Sequence, residues 1–438
     1  MRTTYKRGLL VLFLIALSAC SNTSDTVNIT SGALTGVTEG EVTYYRGIPY
    51  AHPPIGNSRW RAPEAIDPWQ GTLVADSYGP GCWQDLEGGN DIFLKRLLEG
   101  SGMSALKRWA VSTFAGFVST DISEDCLTLN VMVPKGKQKQ SLPVMFWIHG
   151  GGHQFGSGGV AYESPSLVGK DVVLVTINYR LGLYGFFAHE DLQKEDPNAS
   201  TGNYGMLDQL FALQWVQDNI AKFGGDPKNV TIFGESAGGH SVGQLMASPL
   251  SQDLFHKAIA QSGTGFQQFQ ATAADHDQIS GLKAGKQLLA CSGVKTIDEL
   301  RQLDPEALRW LATHPEMSNT YHPQIDGHVL EQSTAETFRN GKQMKVPLIV
   351  GSNANEGSLL YGFGLNAIDG MTADAPLTQA DWQALLKKGF ADNAQDLAEI
   401  YGVDTHAEVP GAAAELMGDA RFGRHAFYMA EFHSEKME

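Results

Sequence analysis

Positive charge is the first thing this chain is short of. Its 438 residues carry 32 lysines and arginines against 48 aspartates and glutamates, a formal net charge of −16. An acidic surface of that kind repels phosphate backbones and anionic headgroups, so nucleic acid and acidic lipid are excluded as partners. Long apolar runs are missing too. The one candidate, Gly8 to Ala19, follows the basic start Arg2, Lys6 and Arg7 and is too short to span a bilayer. No internal repeat and no linker-like stretch divides the chain, which predicts one large domain.

Cysteine is sparse, with four in all. Cys20 ends the run Leu17-Ser18-Ala19-Cys20 directly after the apolar segment, the pattern of a bacterial lipobox. Residues 1–20 are therefore expected to be a lipoprotein signal, with Cys20 lipidated and residues 21–438 exported to the cell envelope on that anchor. The alternative is an ordinary export signal with an incidental cysteine. Without Arg2, Lys6 and Arg7 the charge falls to about −19. Of the other three cysteines, Cys82 and Cys126 can pair in an oxidising compartment, leaving Cys291 single. Within Gln287-Leu-Leu-Ala-Cys291 that thiol is expected to be a buried small hydrophobe.

What is present is concentrated in a few glycine-rich segments. Gly234-Glu-Ser-Ala-Gly-Gly239 follows the apolar stretch Asn229 to Phe233 and precedes the helix-compatible Gly239 to Ala247. Strand, sharp turn and helix with Ser236 at the apex is the context of a nucleophile elbow, whose glycines let helix and strand pack closely. Upstream, the apolar Pro143 to Ile148 runs into His149-Gly-Gly-Gly152. A glycine loop at a strand end frees backbone N–H groups to converge on one point, as an oxyanion demands.

Continuous apolar runs at Asp171–Asn178, Val230–Phe233, Lys257–Gln261 and Val346–Val350 alternate with helix-like stretches such as Met206–Phe223. That alternation predicts an α/β fold with a central, mostly parallel sheet covered by helices on both faces. Val27–Ala33, Val42–Ile48 and Leu127–Val133 alternate more and predict an antiparallel N-terminal part. Asp85 to Ser119 reads either as a lid or as a packed pair of surface helices. Thr313 to Gly327, with His322 and Asp326, is expected to cross near the site.

The chain resembles the type-B carboxylesterases, the cholinesterase-like family of α/β-hydrolases. The likeness rests on RGIPYAHPP from Arg46, RWRAPEAIDPW from Arg59, SEDCLTLNVMVP from Ser123, HGGGHQFGSG from His149, NYRLGLYGF from Asn178, the segment Gly202 to Gly239, and GSNANEG from Gly351. It implies the α/β-hydrolase fold and hydrolysis of a small carboxylic ester with no cofactor and no metal. Ser236 matches the nucleophile, Glu356 the triad acid, and Gly151, Gly152 and Ala237 the oxyanion donors. It further implies a Cys82–Cys126 disulfide and a buried Arg46–Glu124 ion pair. His149 is expected to orient the glycine loop, Glu235 to support the nucleophile, and His153, where the family has an aromatic residue, to be a pocket wall that can touch substrate. Ester identity and oligomeric state are not legible.

A triad serine needs an imidazole base. In the family it follows the acid, beyond one more strand, in a G-x-x-H-G loop. After Glu356 this chain has only His406, His425 and His433, none in that context. A truncated reading frame is the first expectation, with the last core strand missing, the strand at Val346–Val350 left as an open edge, and the chain nearly inactive. A natural non-catalytic binding or adhesion relative is the second. A rearranged triad using His425 or His433 is the third.

Overall fold

The computed structural model describes residues 26–84, 104, 107, 121–266, 280–313, 321–358 and 378–437. The Cys20 lipobox and nearly all of the Asp85–Ser119 insertion lie outside the described residues. No described helix is long and apolar enough to cross a membrane.

In chain order the strands are β1 (Val27–Ile29), β2 (Gly32–Thr35), β3 (Val37–Glu39), β4 (Val42–Pro49), β5 (Thr72–Val74), β6 (Gly81–Cys82), β7 (Ile122–Ser123) and β8 (Thr128–Pro134). They continue with β9 (Leu142–Ile148), β10 (Val173–Ile177), β11 (Gly225–Glu235), β12 (Lys257–Gln261) and β13 (Leu348–Gly351). Eight of them form one sheet in the order β13-β12-β11-β9-β10-β8-β4-β3. The five from β13 to β10 are mutually parallel, while β8, β4 and β3 are antiparallel to their neighbours. This is the mixed sheet that the apolar runs predict. One element differs. Val27–Ile29 pairs antiparallel with β2 as expected, but in a separate three-stranded sheet with β5.

The central strands are apolar because both their faces are covered. Val144, Phe146 and Ile148 on β9, Val173, Val175 and Ile177 on β10, and Val230 and Ile232 on β11 are all fully buried. Helix α1 (Tyr204–Asn219) buries Leu210, Leu213 and Val216 on the stripe that its spacing predicts. It closes through a short 3-10 turn onto Gly224, whose left-handed φ of 85° only glycine adopts cheaply. Helix α2 (Ala237–Ala247) follows β11, and α3 (Val409–Gly418) and α4 (Arg424–Ser434) end the described chain.

Two expectations about individual residues are corrected. Arg46 does not pair with Glu124. Its guanidinium donates to Glu163 at 2.8 Å and Glu39 at 2.7 Å. The β4–β8 register is irregular between Tyr45 and Ile48, and such a break re-aims the side chain it carries. Glu124 is instead held by Arg59, which donates to both carboxylate oxygens, at 2.6 and 2.5 Å, while both side chains are buried. Cys291 is exposed rather than buried, because it ends an amphipathic helix, Gly281–Cys291, whose core stripe is Ala284, Gly285 and Leu288. Cys82 and Cys126 are joined through sulfur with their Cα atoms 4.9 Å apart.

Candidate active site

The turn between β11 and α2 sets Ser236 at φ 55° and ψ −121°. An L-residue held there stores on the order of 1–3 kcal/mol of strain and stays only where its surroundings fix it. Ser236 N–H donates to the Gln261 carbonyl at 2.9 Å, and the Ser236 carbonyl accepts from His240 N–H at 2.9 Å. Gly238 packs so tightly beneath the end of β9 that a methyl group there would strike the Ile148 carbonyl. The glycines of the elbow therefore serve close approach of helix to sheet.

The HGGG loop leaves β9 beside this turn. A methyl group on Gly150 would lie 3.3 Å from Ser236 Cβ. The next three residues are all left-handed: Gly151 at φ 100°, Gly152 at 63° and His153 at 59°. The Gly151 carbonyl accepts from Gln154 and Phe155 N–H at 3.0 and 3.1 Å, which curls the loop. Among the described residues no acceptor is found for the N–H of Gly151 or Gly152. Ala237 opens α2, where the first N–H groups of a helix have no partner within it.

Three buried histidines surround the elbow, and burial keeps all of them neutral. His149 stacks on Tyr179 with ring centroids 4.4 Å apart, and its Nδ1 bonds the Gly150 carbonyl at 2.8 Å. Burial pulls its pKa down to about 4. His153 is 2% exposed, and its Nε2 lies 3.0 Å from Ser241 Oγ on α2. His240 Nδ1 accepts from Thr264 and Gly265 N–H at 3.0 and 2.9 Å. Burial first, then the nearby charge of Arg421, holds its pKa down to about 3.

Glu356 lies in the turn after β13. Its Oε1 accepts from the Ser262 hydroxyl and from Asn353, through N–H at 2.8 Å and Nδ2 at 3.2 Å. Ser262 is itself left-handed, at φ 50°, and the adjoining Gly263 lies against the Ser236 carbonyl. The loop after β12 thus links elbow to acid. Gly357 is pressed onto the Ala414 carbonyl of α3, so no side chain fits there. Glu235 has a raised pKa, first from burial and then from the charge of Glu356.

The structure therefore brings Ser236, the glycine loop, Ala237 and Glu356 together, but among the described residues no imidazole is hydrogen-bonded to Ser236 Oγ or the Glu356 carboxylate. Among the described contacts, the two rings of the rearranged triad bond other groups. His433 is turned to Val346 O at 2.8 Å and Gln343 Nε2 at 3.2 Å. His425 Nδ1 bonds the Arg421 carbonyl at 3.1 Å, and His406 accepts from Gln379 N–H. The 321–327 segment does run beside the site, since Gln154 of the glycine-loop region donates to the Tyr321 carbonyl at 2.6 Å. Ser262, Ser241 and His240 were not singled out from sequence. His240, four residues after Ser236 and hence on the same helical face, was the available signal. Among the described residues no group of three or more His, Cys, Asp or Glu is placed to hold a metal ion.

Residues 23–438 match the model of the carboxylesterase family. The chain belongs to that family. It is 39% identical over 401 residues to the fumonisin B1 esterase of Sphingopyxis macrogoltabida, covering 90% of this chain and 65% of that protein. It is 35% identical over 377 residues to the para-nitrobenzyl esterase of Bacillus subtilis, covering 84% of this chain and 69% of that one. The chain thus spans about two thirds of the length of these two relatives. Among solved structures, a PNB esterase superposes with a TM-score of 0.73 at 31% identity, covering 94% of this chain and 77% of that one. The carboxylesterase of Geobacillus stearothermophilus gives 0.72 at 30%, covering 94% and 77%. With the sheet described above, these likenesses make the fold that of an α/β-hydrolase.

Proposed function

We propose that this carboxylesterase-family chain carries a serine ester-hydrolase site centred on Ser236. The observation that carries the reading is the strained Ser236 turn set against a loop whose left-handed Gly151 and Gly152 have N–H groups with no acceptor among the described residues. A base takes the Ser236 proton as Oγ attacks the ester carbonyl. The tetrahedral oxyanion is held by the N–H groups of Gly151, Gly152 and Ala237. Its collapse expels the alcohol, and water then releases the acid from the acyl-serine. Glu356, fixed by Ser262 and Asn353, orients the imidazole that serves as base. No metal or organic cofactor enters this chemistry.

No described imidazole hydrogen-bonds Ser236, and on this reading ester turnover is expected to be slow. The same observation is what favours a non-catalytic, binding reading of the scaffold. Export with a lipid on Cys20 and an envelope location complete the proposal, resting on the Leu17–Cys20 pattern. Fluorophosphonate labelling followed by peptide mapping tests the site. We expect slow modification at Ser236 alone, none in Ser236→Ala, and p-nitrophenyl acetate turnover about 10⁴-fold or more below the Bacillus subtilis relative assayed alongside. A folded chain that never labels supports the binding reading instead. Fumonisin B1 and p-nitrobenzyl esters, taken from the relatives' names, head the substrate panel.

A further inference from the structure

The elbow and the glycine loop are separate segments, and something must hold one against the other to within a fraction of an ångström. His153 is placed to do so. It is the third of three consecutive left-handed residues and the only one of them with a side chain, at φ 59°. Histidine tolerates that region better than most residues but still holds it at a cost, so the conformation persists because the surroundings impose it. Its carbonyl accepts from Gly182 N–H at 2.7 Å. Its ring packs edge-on to Phe186 and Tyr179, at centroid distances of 5.5 and 6.4 Å. Nε2 meets Ser241 Oγ at 3.0 Å, and Gln209 Nε2 on α1 donates to the same hydroxyl at 3.1 Å.

We infer that His153 is a positioning residue of the oxyanion loop: its buried imidazole, tied to Ser241, fixes the Gly151–Gly152 N–H groups relative to Ser236. The inference rests on the reading of Ser236 and these glycines as an ester-hydrolysing site. Gln209 donates to Ser241 Oγ, and the Ser241 hydroxyl shares a second hydrogen bond with His153 Nε2. One imidazole on the oxyanion loop therefore touches the helix that follows the nucleophile. Burial depresses the His153 pKa well below the ordinary value, with His322, His240 and His149 adding to the effect. The ring is thus a neutral strut across the working pH range, and not a proton carrier. A phenylalanine in its place would keep the packing and leave the Ser241 hydroxyl without its imidazole partner.

The test needs no base, so it reads the oxyanion site in the chain as it stands. The probe is phenylboronic acid. Ser236 Oγ adds to boron, its proton passes to solvent, and boron becomes a tetrahedral anion that occupies the oxyanion position. Boron NMR reads the adduct. p-Nitrophenol, which forms no adduct, serves as the comparison ligand, and thermal melts check folding. We expect His153→Leu to weaken the boronate adduct on the order of tenfold or more while p-nitrophenol binding changes little. His153→Gln, whose amide can still reach Ser241, restores most of the affinity. Ser241→Ala, which keeps the imidazole but removes its anchor, shows a smaller loss in the same direction, and it decides the question should His153→Leu fail to fold. Boronate affinity unchanged in both His153→Leu and Ser241→Ala, with the adduct lost in Ser236→Ala, overturns the inference and leaves the site intact. An adduct that survives Ser236→Ala, or none in the unaltered chain, overturns the reading of the site itself.

Discussion

The two halves of the candidate site are held in different ways. The Ser236 half hangs from β9 and β11, strands with a hydrogen-bonded neighbour on each side and side chains such as Phe146 and Ile148 that are 0% exposed. The Glu356 half hangs from β13, a four-residue strand that among the described residues pairs only with β12, and where Ile349 is 66% exposed. The serine is fixed by the core. The acid is fixed by local bonds to Ser262 and Asn353 and by the contact of Gly357 with α3. Sub-ångström precision in the first half thus comes from packing, and in the second from a handful of polar contacts that single substitutions can remove.

The contrast breaks most sharply on truncating a central side chain. Phe146→Ala should destabilise by about 3–5 kcal/mol, through lost burial plus an unfilled cavity, and urea unfolding measures it. A change under about 1 kcal/mol would mean that the core around β9 can collapse around the gap.

Glu235 sharpens the contrast at the junction of the halves. Its carboxyl pKa is raised by burial and by Glu356. A carboxyl whose folded pKa lies above its unfolded value stabilises the fold fully below the unfolded pKa and loses that contribution as pH rises through the folded pKa. Glu235→Gln should therefore raise the Tm at pH 7, but by no more than about 1 °C because the exposed side chain is screened by solvent, with the gain disappearing near pH 4. A gain that grows on acidification would contradict the sign of this shift.

The smallest effect belongs to the edge. Ile349→Thr should change stability by less than about 0.5 kcal/mol, since the side chain gains little burial on folding. It should also reduce self-association, because apolar sheet edges pair with one another. Sedimentation velocity reads the second effect. A loss above about 2 kcal/mol would show that Ile349 is covered in solution.

Legibility in the sequence follows the same division. The strands that carry Ser236 are continuous apolar runs, and the elbow and glycine loop have turn chemistry that admits few alternatives, so Pro143–Ile148 and Val230–Phe233 could be read from sequence. What could not be read depends on contacts far apart in the chain. Arg46 finds Glu163 rather than Glu124 because an irregularity in β4 turns it, and no local pattern reports which acid lies across a sheet. Cys291 sits on the outer face of a helix whose inner stripe ends three residues earlier, at Leu288, and an apolar tetrapeptide does not reveal that phase. His240 and Ser262 matter through partners on other elements, so motif reading passes over them.

The central claim is that Ser236 is preorganised as a nucleophile and wants only an imidazole. Added imidazole tests it most directly. The rate of fluorophosphonate labelling, followed by intact mass, is measured on the folded chain with imidazole at increasing concentration and on Ser236→Ala as background. The account predicts slow labelling without imidazole, a rate that climbs in proportion to the free base, and a single adduct mapped to Ser236. Rapid labelling at Ser236 without imidazole, abolished by His425→Ala or His433→Ala, would contradict it, because a resident histidine would then already be the base.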